Sequence, residues 1–113
     1  MAKFRFVEWL YGWLLSVRAF AFEWDTGNQT KNADKHAVTC EEAEEVFRSR
    51  RFIPLGQQVE PATTEPRFGI LGETYDGRLL FLAFTLRGEK IRVISARGVN
   101  RKEKDLYGSL RQE

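Results

Sequence analysis

Apolar residues near the N-terminus recur at the spacing of a helix face: Phe6, Trp9, Leu10, Trp13, Leu14 and Val17 are separated by three, four and seven positions, with Glu8, Ser16 and Arg18 off the stripe. Phe20, Phe22 and Trp24 then alternate with Ala21 and Glu23, the period-two pattern of a half-buried strand. Asp25 or Thr26 offers an N-cap for a short helix that reaches about His36. Thr39 and Glu42 form a capping box, which predicts a second helix that buries Ala43, Val46 and Phe47 and turns Glu41, Glu44 and Glu45 outward. Arg48, Arg50 and Arg51 close that helix with charges suited to its C-terminal dipole.

The remaining chain reads as strands. Arg51 to Leu55 is expected at a sheet edge because Pro54 has no amide for an inner ladder, and Gln57 to Pro66 reads as a polar loop. Asp76-Gly77, between Arg67–Tyr75 and Arg78–Thr85, predicts a hairpin whose two central residues both take positive φ. Leu79 to Phe84 is apolar on both faces, as a central strand should be. Lys90 to Arg97 follows a turn at Arg87-Gly88-Glu89, and Asn100 caps a last helix that packs through Leu106, Tyr107 and Leu110. The expected fold is α+β: a mostly antiparallel twisted sheet of about four strands, helices packed on one face, and an extra N-terminal helix whose stripe is covered by its own domain or by a partner.

At 113 residues the chain is one domain, long enough for a core without disulfide staples. Its one cysteine, Cys40, cannot form an internal disulfide and reads as a small apolar residue. With a single histidine beside that cysteine, zinc-site patterns are missing and no metal or other cofactor is expected. The N-terminal apolar run is too short and interrupted to span a bilayer. Glu8 and the strand that follows set the run apart from a cleaved leader, so a cytoplasmic protein is expected. Charge is uneven: residues 1 to 66 carry eight Lys/Arg against ten Asp/Glu, whereas residues 67 to 113 carry ten against six. The second half is therefore the one suited to a phosphate backbone.

One set of residues goes further. The run Phe22-Glu23-Trp24-Asp25 is followed by Lys35-His36 and by Thr39-Cys40-Glu41-Glu42-Ala43-Glu44-Glu45-Val46-Phe47. Later come Gly77-Arg78, Phe84-Thr85-Leu86-Arg87-Gly88, Ile91 to Arg97, and Glu103 with Tyr107. In order and spacing these resemble the BrnT family of bacterial toxins over roughly residues 20 to 107, leaving residues 1 to 19 as an extension. The resemblance implies a fold similar to RelE-type toxins. It also implies an endoribonuclease that inhibits translation, and a BrnA-like ribbon-helix-helix antitoxin as partner in a heterotetramer, with a homodimer as the alternative assembly. Four positions depart from the family pattern: Ala37 replaces a glycine, Thr26 a proline, Asn28 a lysine, and Arg48-Ser49 an acidic residue.

Metal-free RNA cleavage needs an in-line 2′-hydroxyl, stabilisation of the extra negative charge, and a proton for the departing oxygen; fixed guanidinium groups serve the second need. Arg97, Arg87 and Arg67 are candidates on this ground, and His36 is a candidate for proton transfer with a helix-end packing role as its rival. Lys35 and Arg92 are candidate phosphate contacts, and Phe84 and Tyr107 candidate base-stacking residues, each with a packing or surface role as the alternative. Strand parity sets Arg97 on a face with Ile91, Val93 and Ser95, and Arg92 on the other. The competing function is a nucleic-acid or partner-binding module that has the fold and lacks catalysis.

Overall fold

The N-terminal stripe starts as a strand before it becomes a helix. In a computed structural model, which describes residues 2–25, 27 and 37–111, the strands are β1 (Lys3–Arg5), β2 (Ala21–Phe22), β3 (Phe52–Glu60), β4 (Phe68–Glu73), β5 (Leu79–Arg87) and β6 (Lys90–Gly98). The helices among these residues are α1 (Glu8–Ser16), α2 (Cys40–Arg48) and α3 (Arg101–Arg111). The sheet has six strands, not about four, in the order β1-β3-β4-β5-β6-β2, antiparallel except for the outer β2–β6 pair. The strand expected around Phe20 to Trp24 is present as the two-residue β2 at one edge, and β1 at the other edge is the added one.

β1 pairs with Gln57, Gln58 and Glu60, so the first four residues of the expected polar loop are strand. Two glycines admit it. A Cβ on Gly56, whose φ is +115°, would stand 1.9 Å from the Arg5 carbonyl oxygen, and one on Gly69 would stand 2.7 Å from the Phe4 ring. Because β1 covers only the far end of β3, Pro54 still lies where no strand asks for its missing amide. The hairpin between β4 and β5 also differs from expectation: of Asp76 and Gly77 only Gly77 has a positive φ, at +85°. Its amide donates to Thr74 O at 2.9 Å and Thr74 N donates to Arg78 O at 2.9 Å, so the loop is one residue longer than a two-residue turn.

Helices occupy both faces, not one. Leu10 and Leu14 of α1 and Ala43, Val46 and Phe47 of α2 join Ile70, Leu80, Leu82, Phe84, Ile91 and Val93 in the larger core. Tyr107 of α3 packs with Leu71, Phe81 and Ala83, the residues of opposite parity on β4 and β5. Phe47 is the hub of the larger core, with ring centroids 5.8 Å from Phe20, 5.6 Å from Phe22 and 5.2 Å from Phe84. Three aromatic contacts on one helix residue explain how a two-residue β2 is held.

The extension belongs to this core: α1 buries Leu10 and Leu14 completely and half-buries Trp13 and Val17. Arg50, left-handed at φ +57°, fastens its end. Its guanidinium donates to Leu14 O at 3.2 Å, to Arg18 O at 3.3 Å and to Val17 O, and lies 4.8 Å over the Phe20 ring. Phe6 and Trp9, at 57% and 54% exposed, remain uncovered, so the stripe is only partly consumed.

Candidate functional site on the second sheet face

The second face is covered at one end and open at the other. What places residues along it is a β-bulge: Ala83 pairs with Ser95 and the next residue, Phe84, pairs with Val93, so Ile94 is an extra residue on β6. Without it, Arg92 and Arg97 would point to opposite faces, as strand parity alone predicts. With it, Arg92 lies opposite Thr85 and Arg97 opposite Phe81, four residues apart on one face of β5, and Ile91 and Val93 face the other way. The register of β4 adds Arg67. Phe68 pairs with Phe84, so the residue before Phe68 falls beside Thr85. On the other side of the strand, Gln58 N of β3 donates to Arg67 O at 2.7 Å, so the pairing of β3 with β4 runs on to this residue.

The open face thus carries three cross-strand rows: Arg67, Thr85 and Arg92; then Gly69, Ala83 and Ser95; then Leu71, Phe81 and Arg97. The middle row is made of small residues, and the Phe4 ring of β1 lies over Gly69 and against Phe81, so this row is filled by β1 and separates the two sets of cations. Rows two residues apart are separated by about 7 Å. Arg87, two residues past Thr85, extends the first row.

Acidic residues of the β2 end reach into that row. Phe22 turns into the larger core, so its neighbour Glu23 emerges on the second face. One oxygen, Glu23 Oε1, lies 3.1 Å from Arg87 Nη1 and 3.4 Å from Arg92 Nη1, and Asp25 Oδ2 lies 2.7 Å from Arg92 Nη2. Arg87 Nε also stands 3.6 Å from Glu65. Arg67 has no carboxylate partner among the described residues. The pattern along the chain does not single out Glu23. Its alternation with Phe22 was visible, but the parallel pairing that sets it beside β6 was not.

The covered end has a different character. Arg97 meets Glu103 of α3 through Nη1–Oε1 and Nη2–Oε2 contacts of 2.8 Å each, while its guanidinium lies 4.4 Å over the Phe81 ring. Glu103 Oε1 also accepts from Asn100 N at 3.0 Å, and Asn100 Oδ1 accepts from Glu103 N at 2.8 Å, the two halves of a capping box. Burial alone would raise the Glu103 carboxyl, but the Arg97 and Asn100 hydrogen bonds outweigh it and hold it below the usual carboxylate range. The hydrogen bond to Glu103 likewise raises Arg97 above the ordinary arginine value.

Other sequence candidates settle into packing. Phe84 is fully buried between Phe47 and Phe68, so no ring face is open to a base. Tyr107 is 7% exposed, and its hydroxyl lies 2.6 Å from Glu73 Oε2 and 3.1 Å from Arg51 O, both acceptors. Burial and then the Glu73 carboxylate raise its pKa, so it keeps its proton. Trp24 is an anchor, its Nε1 donating to Glu44 Oε2 at 2.7 Å. Cys40 is half-buried, and burial with Glu41 and Glu44 pushes its thiol up, away from the reactive thiolate. His36 and Lys35 lie outside the described residues, as do Asn28 and Thr26. Their neighbour Ala37 adopts φ +54°, the conformation suited to glycine, and its carbonyl accepts from Arg78 Nη1 at 3.1 Å.

Fold and site together define a small α+β protein with a cluster of arginines and carboxylates on the uncovered end of its sheet. The sequence pattern of the family described as the ribonuclease toxin BrnT of type II toxin-antitoxin systems matches residues 24–103, and the chain belongs to that family. The 1.1 Å crystal structure of the Brucella abortus ribonuclease toxin BrnT shares its fold. That similarity has a TM-score of 0.51 and 22% identity over 74% of this chain and 100% of that one. No match was found among curated proteins. The matched region begins after β1, α1 and β2, so the N-terminal layer is outside it. Among the described residues no helix is long and apolar enough to cross a membrane.

Proposed function

We propose that the protein is a metal-independent endoribonuclease of a toxin-antitoxin pair, acting in the cytoplasm to stop translation and held inactive by a BrnA-like ribbon-helix-helix antitoxin. The observation that carries the reading is the meeting of Glu23 with Arg87 and Arg92 beside Arg67, which has no carboxylate partner among the described residues. A carboxylate held by two guanidinium groups is fixed in place and accepts a proton without reorganising. Each guanidinium has five N–H donors, so Arg87 and Arg92 retain donors for a phosphate.

In this reading Glu23 removes the proton of a 2′-hydroxyl, whose oxygen attacks the adjacent phosphorus. The bond from phosphorus to the 5′-oxygen breaks, leaving a 2′,3′-cyclic phosphate and a 5′-hydroxyl. Arg67, Arg87 and Arg92 meet the added negative charge, and His36 is the candidate donor to the departing oxygen. Arg97 serves the fold by tying α3 to the sheet.

Incubating the purified protein with total RNA in EDTA tests the reading. Strand scission with cyclic-phosphate or 3′-phosphate ends is expected, together with growth arrest when the toxin is induced alone. Activity that vanishes with the chelator and returns with Mg²⁺ would overturn the chemistry. RNA binding without scission would make the protein a binding module.

A further inference from the structure

Where the row of Arg67, Thr85 and Arg92 turns over the end of the sheet, it meets a cleft on the α1 side. Trp9, Gln57, Pro66, Phe68, Thr85 and Leu86 line a cleft of about 260 Å³. Trp9 is 54% exposed, and its ring stands at 89° to Phe68 with centroids 5.4 Å apart, so the two rings form a right-angled apolar corner. The rim is polar and cationic. Gln57 makes no side-chain hydrogen bond among the described residues, and its register partner Arg5 is exposed with no ion pair among them. Pro66 and Leu86 are chain neighbours of Arg67 and Arg87, and Thr85 Oγ1 donates to Pro66 O at 2.6 Å, so the cleft and the arginine row share one lip.

A flat ligand with apolar faces, a hydrogen-bonding edge and an attached anion fits this set of groups. Aromatic and aliphatic walls take the faces, the Gln57 amide offers donor and acceptor to the edge, and Arg5 and Arg67 offer charge to the flanking phosphates. We propose that the Trp9 corner is a nucleobase subsite, receiving one unpaired base of the RNA strand next to the phosphate held by Arg67 and Arg92. The subsite rests on the ribonuclease reading above. It depends on residues of the N-terminal layer, which lies outside the family match.

Fluorescence anisotropy with a labelled single-stranded RNA that carries 2′-O-methyl groups, and so cannot be cut, tests it. Trp9→Ala should weaken binding about 5- to 150-fold, the range for losing one stacked base, while Trp9→Phe should retain most of the affinity. The salt dependence should keep the wild-type slope in both, because no charge is lost. Gln57→Ala should change the preference among oligonucleotides that differ at one base more than it changes mean affinity. An abasic site at the stacked position should weaken wild-type binding and leave Trp9→Ala indifferent. Trp9→Ala and Trp9→Phe both binding within twofold of wild type would overturn the subsite while leaving the ribonuclease reading intact. Unchanged RNA affinity with an altered mass in solution would also overturn it, and would assign Trp9 to a protein interface. A wild-type protein that neither binds nor cuts RNA would remove both readings.

Discussion

At the α3 end of the second face, Arg97 faces both oxygens of one carboxylate at 2.8 Å and lies against Phe81. At the β2 end, Arg87 and Arg92 share a single oxygen of Glu23 at 3.1 and 3.4 Å, and Arg67 beside them has no carboxylate partner among the described residues. The residue types are the same, and the chain brings both clusters to one face. The difference lies in saturation. Two parallel hydrogen bonds, a capping box and an aromatic floor satisfy Arg97 and Glu103 within the protein, which is what a structural clamp requires. Arg87 and Arg92 share one Glu23 oxygen and each meets a second carboxylate, Glu65 and Asp25, through single contacts and not through a fork, so each guanidinium keeps donors over, which is what an anion-binding site requires.

The sharpest way to break this contrast is to remove charge at the open end. Glu23→Gln and Arg92→Ala should each lower kcat/KM on RNA by about 10²- to 10³-fold, with the thermal midpoint moved by only a few degrees in Glu23→Gln, because part-exposed ion pairs contribute little, and further in Arg92→Ala, whose side chain is 19% exposed. Initial rates and a melting curve on each variant decide it. Arg67→Ala should cost less, about tenfold. Wild-type rates in all three would show that the open cluster is ordinary surface.

The covered end should behave in reverse. Arg97→Ala is expected to destabilise the fold by about 1.5 to 3 kcal/mol, the usual range for hydrogen bonds to charged groups, while turnover per folded molecule stays within about threefold of wild type. Denaturant titration beside an active-site-normalised rate separates the two effects. A folded Arg97→Ala protein without activity would move the catalytic centre to α3 and erase the contrast.

Acid sharpens the same distinction. The Glu103 carboxyl is held below its unfolded value, chiefly by Arg97 and Asn100 working against burial. Its contribution is therefore present in full above the unfolded carboxylate pKa, about 4.3, and is lost as pH falls through the lowered folded value. Glu42 is lowered in the same way, burial being outweighed by the Thr39 amide and by Arg78, so it adds to the loss over the same acid range. Stability measured from pH 6 downward should fall less steeply in Glu103→Gln than in wild type. Equal slopes would mean that the pair is not coupled to folding.

The smallest effect concerns Ala37. Its φ of +54° is strained for any residue with a Cβ. Ala37→Gly restores the family's residue and should raise stability by about 0.5 to 1 kcal/mol, the relief of strain offset in part by added chain entropy. An increase of a few degrees in melting temperature is the expected readout, and a decrease would show that Arg78 and its contact to the Ala37 carbonyl depend on the alanine.

Local chemistry was legible where it is local in origin. The capping boxes at Thr39–Glu42 and Asn100–Glu103, the buried face of α2 and the central apolar strand β5 all follow from spacing, because each is settled within a few residues of chain. Family membership was legible too, since it rests on residue identity and order. The extra turn residue at Gly77 and the strand β1 were not, for each depends on what a second segment does.

For this protein the sequence by itself determined which residues carry charge, where α2 and α3 start and that Leu10 and Leu14 share an inward face, but not that Phe6 and Trp9 of the same stripe stay exposed. Tertiary structure alone decided the site. One extra residue at Ile94 reverses the parity of β6 and brings Arg92 and Arg97 to a common face. The parallel docking of β2 sets Glu23 beside Arg87 across 64 positions of sequence, and α3 closes one end of that face while leaving the other open. Side-chain direction in a sheet depends on pairing register, and register is a property of two strands, so no pattern read along one of them contains it.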